Sequence, residues 1–376
     1  MPLKPFVFAA CLILMFALFV ERTLLRRARK QIKTVIHVNG TRGKSTIVRL
    51  IDAGLRGNLP VAIYSKITGT KPAVINSKGD LTPIKRRGQA NINEQVKQLI
   101  SAAKQGAEIF IVECMAVQPE LQQVCEEKIL KANILVLSNV RNDHIPEMGR
   151  NLTEVARSFA LTFPNNGKIF TAEGRYNSIF EEVAEARNSQ LVIVPRVDSL
   201  SGLENWPPFL KDNIALALAV CEELGVKEAD AWSAMKNYLP DPYAFKEYHL
   251  PEGAIFANAL TANDPESTDI IFSWLRAKTE IKDRELIILL NCREDRPART
   301  REMLSWIEQQ EAREVWILGR RTLGIKSKTA AKKFHYFYSV DKLPFEQLLG
   351  DEFIFAVGNV GESGFELLQL IEERSL

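Results

Sequence analysis

The chain has 376 residues, 46% hydrophobic and 25% charged, with a net charge of +3. That length suits two or three domains behind any targeting segment, and the near-neutral balance speaks against a nucleic-acid binder. Five cysteines, Cys11, Cys114, Cys125, Cys221 and Cys292, stand far apart without a C-x-x-C pair, which excludes a disulfide framework and a zinc site and leaves reduced thiols in cytosol as the simpler reading.

Phe6–Val20 carries no polar side chain other than Cys11. As a helix this run is roughly 22 Å long, short against a hydrocarbon core of about 30 Å. Leu3–Pro5 and Thr23–Leu25 extend it enough to span with local thinning. Its C-terminal flank holds Arg22, Arg26, Arg27, Arg29, Lys30 and Lys33, against Lys4 alone on the other side. The positive-inside rule then puts Met1 outside and everything after Glu21 in the cytoplasm. A cleaved signal peptide would need a basic start and a small-residue cleavage site, and ERTLL offers neither. The basic flank also suits anionic lipid headgroups.

Lys33–Val38 reads as a strand, Gly40–Gly43 as a glycine turn and Ser45–Arg56 as a helix. Strand, glycine loop and helix in that order make a phosphate cradle. Backbone N–H groups and the helix N-terminus face the anion, a lysine reaches the outer phosphates and a hydroxyl meets the metal ion. Gly40, Thr41, Gly43, Lys44, Ser45 and Thr46 would fill those places. The spacing is G-x-x-G-K-[ST]; the commoner, longer loop would have glycine where Val38 stands. The rival reading is a strand-to-helix turn with an incidental lysine.

Further on, Val61–Tyr64 is a short strand, and Ser65–Gln89 is a long, turn-rich, basic stretch of functional or mobile character. A helix over Ile92–Lys104 precedes the apolar strand Glu108–Val112, which ends on Glu113. Pro119–Lys131 is a helix, Ile134–Leu137 a buried strand, and Leu152–Leu161 a helix. Lys168–Thr171 and Leu191–Val194 are strands, followed by helices over Leu210–Leu224 and Glu228–Tyr238. Apolar strands alternating with helices predict an α/β fold, a parallel sheet covered on both faces with its ligands at the strand carboxyl ends. The loop after Val38, Glu113 and the segment after Ser138 can therefore converge.

Leu239-Pro240-Asp241-Pro242 is punctuation and a plausible hinge. The alternation then restarts, with strands at Ala254–Ala257, Leu286–Leu290, Val315–Leu318 and Phe353–Val357. Helices fall at Pro265–Lys278, Pro297–Gln310, Pro344–Leu349 and Gly364–Glu373. The expected organisation is an anchor with its basic flank over 1–30, a P-loop domain over 31–243 and a smaller C-terminal α/β domain over 244–376.

An ATP site needs a carboxylate to hold Mg²⁺ near the hydroxyl after the lysine, and Glu113 stands where that acid belongs. In SNVRNDHIPEMG, Asn139, Asp143 and His144 form a polar knot on a loop, and His144 is a candidate ligand for a second ion or its water. The rival readings are an ordinary strand-end carboxylate and a solvent-exposed histidine.

The set GTRGKST, VECMAVQPE and NVRNDHIPEMG resembles the Mur ligase superfamily of ATP-dependent amide ligases, which includes folylpolyglutamate synthase. Across nearly the whole chain the closer resemblance is to poly-γ-glutamate synthase ATP-binding subunits of the CapB/PgsB type. It is carried also by ITGT (Ile67–Thr70), NINEQ (Asn91–Gln95), DNIALALA (Asp212–Ala219), ANDPEST (Ala262–Thr268), NCREDR (Asn291–Arg296) and VGN (Val357–Asn359). The resemblance implies that Gly40, Thr41, Gly43, Lys44 and Ser45 cradle phosphates and the first Mg²⁺, and that Glu113 and His144 hold metal. It puts Asn213 near the adenine and Asp264 at the ribose. No role carries over for Arg293 and Arg296, but an arginine pair suits carboxylate binding; a surface salt-bridge network is its rival.

Two departures stand out. The region Thr153–Leu161 lacks the lysine that Mur ligases carbamylate, and Lys246 stands where they bring in a phosphate-contacting arginine. The anchor stands where Mur ligases have their long UDP-binding N-terminal domain, so the expectation is against a UDP-sugar peptide as substrate. The implied chemistry is ATP- and Mg²⁺-dependent amide ligation through an acyl phosphate, with glutamate and the growing polyglutamate chain as substrates and small membrane subunits of the same synthase as partners. Closure of the C-terminal domain over ATP would supply part of the positioning. The alternatives are a membrane-tethered ligase for another amino acid or a folate-like acceptor, and a non-catalytic nucleotide-sensing scaffold of an export complex.

Overall fold

Nearly all-apolar strands must be covered on both faces, and this chain supplies the cover with helices between successive strands. The computed structural model describes residues 3–86, 88, 90–142, 145–197, 200–203, 206–251, 253–319, 333–361 and 363–376. Two units result, Met1–Leu200 with Leu210–Leu239, and Ser201–Phe209 with Pro240–Leu376.

The first unit opens with α1 (Leu3–Gln31), β1 (Thr34–Asn39), α2 (Lys44–Arg56), β2 (Ile63–Ile67), β3 (Ala73–Ile75), β4 (Leu81–Pro83) and α3 (Asn93–Lys104). There follow β5 (Ile109–Glu113), α4 (Pro119–Val124), a π-helical turn (Cys125–Leu130), β6 (Ile134–Leu137), α5 (Ile145–Met148) and α6 (Leu152–Ala160). It closes with β7 (Lys168–Thr171), α7 (Asn177–Ala186), β8 (Gln190–Ile193), α8 (Lys211–Glu223) and α9 (Glu228–Met235). The sheet order is β4-β3-β2-β5-β1-β6-β7-β8. From β2 to β8 every pair is parallel, so the ends of β1, β2, β5, β6 and β7 collect at one edge.

Val7–Gln31 is long and apolar enough to cross a membrane. The same helix ends as part of the fold. Ala28 is buried with Val35, Leu99, Phe110 and Leu130, and Arg29 donates to the carbonyls of Leu130 (2.7 Å) and Lys131 (2.7 Å) and to Asn133 Oδ1 (2.9 Å).

The second unit contains β9 (Lys246–His249), β10 (Ile255–Asn258), α10 (Pro265–Arg276), β11 (Glu285–Asn291), α11 (Pro297–Ile307), β12 (Glu314–Leu318), β13 (Lys333–Phe337), β14 (Glu352–Gly358) and α12 (Ser363–Arg374). Its sheet runs β13-β12-β11-β14-β10-β9, parallel except for β9. Alternate residues feed two cores: Ile287 and Leu289 on one face, Ile288 and Leu290 on the other.

Several local expectations need correction. Ser65–Gln89 is not one long loop: β2 runs on to Ile67, and β3 and β4 fold back beside it as antiparallel edge strands. Three-residue strands, one of them ending on Pro83, fall below any periodic signal. The helix expected over Pro119–Lys131 turns π-helical at Cys125, where Glu126 is drawn inward to His37. Pro344–Leu349 yields only a 3₁₀ turn over Phe345–Gln347. Helix α7 and strands β9 and β13 have no counterpart in the sequence reading; the two strands are short and mostly polar, whereas α7 does carry an apolar period in Ile179, Phe180, Val183 and Ala184.

Candidate active site

The carboxyl edge of the first unit is built outward from β1. Beyond Asn39 the chain can only turn sharply because Gly40 and Gly43 adopt φ of 117° and 85°. Both glycines also admit a neighbour. A Cβ on Gly40 would sit 2.2 Å from Ser138 Oγ, and one on Gly43 would sit 2.6 Å from Asn213 Oδ1. Asn213, on α8, thus lies directly against the loop. Gly43 caps α2 without a side-chain bond to the first-turn N–H groups, which leaves the helix N-terminus to an anion.

The segment after β6 laces the loop from the other side. Thr41 N donates to Asn139 O (3.0 Å), Arg42 N donates to Asn139 Oδ1 (3.0 Å), and Arg141 N donates to Thr41 Oγ (2.9 Å). Lys44 folds back over the loop, its Nζ donating to the carbonyls of Gly40 (2.6 Å) and Thr41 (3.1 Å). Thr46 follows in the first turn of α2.

Glu113, at the end of β5, is buried. Its Oε2 accepts from Ser45 Oγ (2.8 Å), Thr68 N (2.6 Å) and Gly69 N (3.2 Å). Three donors on one oxygen fix the carboxylate, and no hydrogen bond among the described residues reaches Oε1. Ser45 hydroxyl and Glu113 carboxylate are thereby brought together as an all-oxygen donor set, which fits a hard divalent cation. His144, with Asp143, lies outside the described residues.

Ionic contacts behind Thr68 support this corner. Lys66 is wholly buried, and its Nζ contacts Glu94 Oε1 (2.9 Å) and Thr68 Oγ (2.6 Å). Arg86 holds the same Glu94 through two bonds of 2.8 and 3.0 Å. Burial pushes the Lys66 ammonium below its ordinary pKa, with Glu94 opposing that shift. Behind β1, His37 Nδ1 lies 3.1 Å from Glu126 Oε2. Burial opposes charge on this imidazole, but the neighbouring Cys114 and the bonded Glu126 win and raise its pKa to about 9. After β7, buried Glu173 accepts from Val140 N (3.0 Å) and from Arg175 Nη2 (2.7 Å), which pins the start of the segment leading to Asp143.

Neither the backbone donors at Thr68 and Gly69 nor the Lys66–Glu94 pair was assigned a role from sequence. ITGT and NINEQ were matched only as strings. A signal was present in the place of ITGT at the end of β2, but the donors are main-chain groups and leave no side-chain signature.

In the second unit Asp264 is buried and caps α10, accepting from Ser267 N (2.8 Å) and Ser267 Oγ (2.7 Å). Lys246 heads β9, with its ammonium 3.4 Å from Glu372 and 4.6 Å above the Tyr248 ring. The carboxyl ends of β11 and β14 meet in a polar cluster. Asn291 Nδ2 donates to Asn359 O (2.6 Å), and Arg299 donates to Asn359 Oδ1 (2.7 Å). Asn291 Oδ1 and Asn359 Nδ2 are buried without a partner among the described residues. Arg293 forks onto Asp295 (2.9 and 2.8 Å), and Arg296 lies 3.9 Å from the same carboxylate.

Comparison with known proteins fits this geometry. Residues 38–195 match the Mur ligase middle domain, and residues 246–374 match the poly-gamma-glutamate synthase CapB C-terminal domain. The chain is 35% identical to the capsule biosynthesis protein CapB of Bacillus anthracis, over 91% of this chain and 77% of that protein. It is 33% identical to the PGA synthase CapB of Bacillus subtilis (strain 168), over 97% and 96%. Its fold is similar to a bifunctional folylpolyglutamate synthase/dihydrofolate synthase of Yersinia pestis complexed with AMPPNP and a Mn ion. That match has a TM-score of 0.66 at 13% identity and covers 93% of this chain and 92% of that one.

Proposed function

This chain belongs to the poly-γ-glutamate synthase CapB family, and from that premise we infer that it is an ATP-dependent amide ligase making poly-γ-glutamate. The observation that carries the reading is the fixed Ser45–Glu113 pair beside a glycine loop, at the edge where a parallel sheet receives its ligand.

The reaction has two steps. A chain-end carboxylate attacks the γ-phosphorus of ATP, forming an acyl phosphate as ADP leaves. The amine of glutamate then attacks the acyl carbon, and phosphate departs. Loop N–H groups and Lys44 hold the phosphates and carry charge on the transferring group. No protein nucleophile is required, so Cys114 beside Glu113 serves packing.

A divalent cation, which we propose is Mg²⁺, would be held by Ser45, Glu113 and His144. When bound it neutralises phosphate charge. Asn213 is proposed at the adenine, Asp264 at the ribose and Lys246 at a phosphate. For Asp264 such a contact would be made beside, or in place of, its capping bonds.

Arg293 and Arg296 are proposed to receive a substrate carboxylate. Two guanidiniums face the one Asp295, and Asn291 Oδ1 and Asn359 Nδ2, buried without a partner among the described residues, add an acceptor and a donor at the same edge.

The apolar helix is proposed to cross the membrane once, with its N-terminus outside and the two units in the cytoplasm. Small membrane subunits of the same synthase are the proposed partners. Membranes incubated with ATP, a divalent cation and labelled glutamate should yield acid-precipitable polymer and glutamate-dependent ADP release. No polymer, with the partner subunits co-expressed, would refute the reading.

A further inference from the structure

The β2–β4 meander carries more positive charge than the fold requires. Between residues 66 and 93 the chain has six basic residues, Lys66, Lys71, Lys78, Lys85, Arg86 and Arg87, against a single acid, Asp80. Among the described ones only Lys66 is buried, and Lys66 and Arg86 pair with Glu94. Lys71, Lys78 and Lys85 are exposed. Lys78 and Lys85 have no ion-pair partner among the described residues. Asp80, whose carboxylate lies in the turn 3.1 Å from Asn76 Nδ2, offsets only one of these charges.

This charge is tied to the metal corner at both ends. The meander begins at Thr68–Gly69, whose N–H groups hold Glu113, and Lys71 stands two residues beyond. It ends at Arg86, which grips Glu94, which grips Lys66, which grips Thr68. Lys71 and Lys85 flank the paired strands at the end where Ile84 N meets Pro72 O, and Lys78 sits at the opposite end, in the β3–β4 turn. The result is a basic strip running along the sheet edge away from the catalytic carboxylate.

We propose that this strip is a docking surface for the anionic product chain, an inference that rests on the poly-γ-glutamate reading above. A γ-linked residue spends its side-chain carboxyl in the amide and keeps its α-carboxylate, so the polymer bears about one negative charge per residue. Each lysine–carboxylate contact at an exposed site is weak and screened by salt. Several on one chain act together, because the second contact forms at high effective concentration once the first is made. Retention therefore rises with chain length, and the enzyme holds long products between additions while short ones escape.

The test uses the full-length protein in membranes. K71Q/K78Q/K85Q is compared with wild type and with K97Q/K104Q, which removes two exposed lysines from α3 as a control for charge. Three screened contacts of a few-fold each predict roughly tenfold weaker binding of preformed poly-γ-glutamate at low salt and a flatter salt dependence. Product length on gels should fall, while glutamate-dependent ADP release stays within about twofold of wild type and the control behaves as wild type. Unchanged polymer affinity and product length in the triple variant would overturn the proposal. So would loss of binding to anionic vesicles with polymer binding retained, which would assign the strip to lipid. Because the binding assay uses polymer made elsewhere, wild type that bound it but synthesised none would count against the functional reading alone.

Discussion

The two units end their sheets in opposite ways. At the carboxyl edge of the first, the loop and its acid are held by many bonds: Asn139 laces the glycine loop, Lys44 bonds two loop carbonyls, and three donors share one oxygen of Glu113, though Ser138 Oγ is buried there without a partner among the described residues. At the carboxyl edge of the second, two buried amide atoms lack partners among the described residues and two arginines share one carboxylate. A site that stabilises a transition state must be organised before the substrate arrives, since reorganisation would cost rate. A site that recognises a substrate can keep unmet hydrogen-bonding capacity for it to fill. The difference, a braced loop and carboxylate against an arginine pair on one aspartate, is what the proposed division into chemistry at the first edge and recognition at the second rests on.

The harshest test is Lys44→Ala. It deletes the only lysine on the glycine loop and should lower glutamate-dependent ADP release by about 10²–10³-fold. Activity within tenfold of wild type would mean that the loop does not carry the transferring phosphoryl group. Glu113→Gln is finer. The three donors will hold the amide oxygen in their midst and leave the NH₂ group where a cation needs an oxygen. The expected result is at least a roughly tenfold higher divalent-cation concentration for half-maximal rate, with the melting temperature little changed. An unchanged metal requirement would remove Glu113 from the cation site.

Much of the first edge was legible because it is local. Strand, Gly40–Gly43, Lys44 and Ser45 are consecutive, and Glu113 closes an apolar run. Thr68 and Gly69 were not, because their contribution is two backbone N–H groups, and they reach Glu113 only through the register that pairs Lys66 with Val112. Lys66 resembled any lysine of a basic loop until its burial was known. In the second unit the alternating strands were plain, as was the arginine pair. That Asn291 and Asn359 would keep unpaired atoms could not be read, since hydrogen-bond satisfaction exists only in three dimensions.

Recognition at the second edge is tested by R293Q/R296Q. Removing charge-assisted contacts should raise KM for glutamate about tenfold or more and leave KM for ATP unchanged. If KM for ATP moves instead, the second edge serves the nucleotide and the contrast drawn above fails.

The smallest effect on catalysis, and the one that probes how firmly the first edge is founded, concerns pH. His37 lies one strand-turn below the glycine loop, and its folded pKa of about 9 exceeds the ordinary value of 6.5. A raised pKa means that the folded state binds the proton more tightly. The resulting stabilisation is fully present below pH 6.5 and is lost as pH climbs towards 9. The size of the shift corresponds to about 3 kcal/mol over that window. Chemical denaturation of the wild type should therefore show stability falling between those pH values, and His37→Gln should flatten that fall while lowering stability at neutral pH, because Glu126 is left buried without its cation. A wild-type profile that is level across the window would mean that the imidazole is neutral in the fold. The underside of β1 would then be an ordinary hydrogen bond, and the rigidity of the first edge would have to come from the lacing above the strand alone.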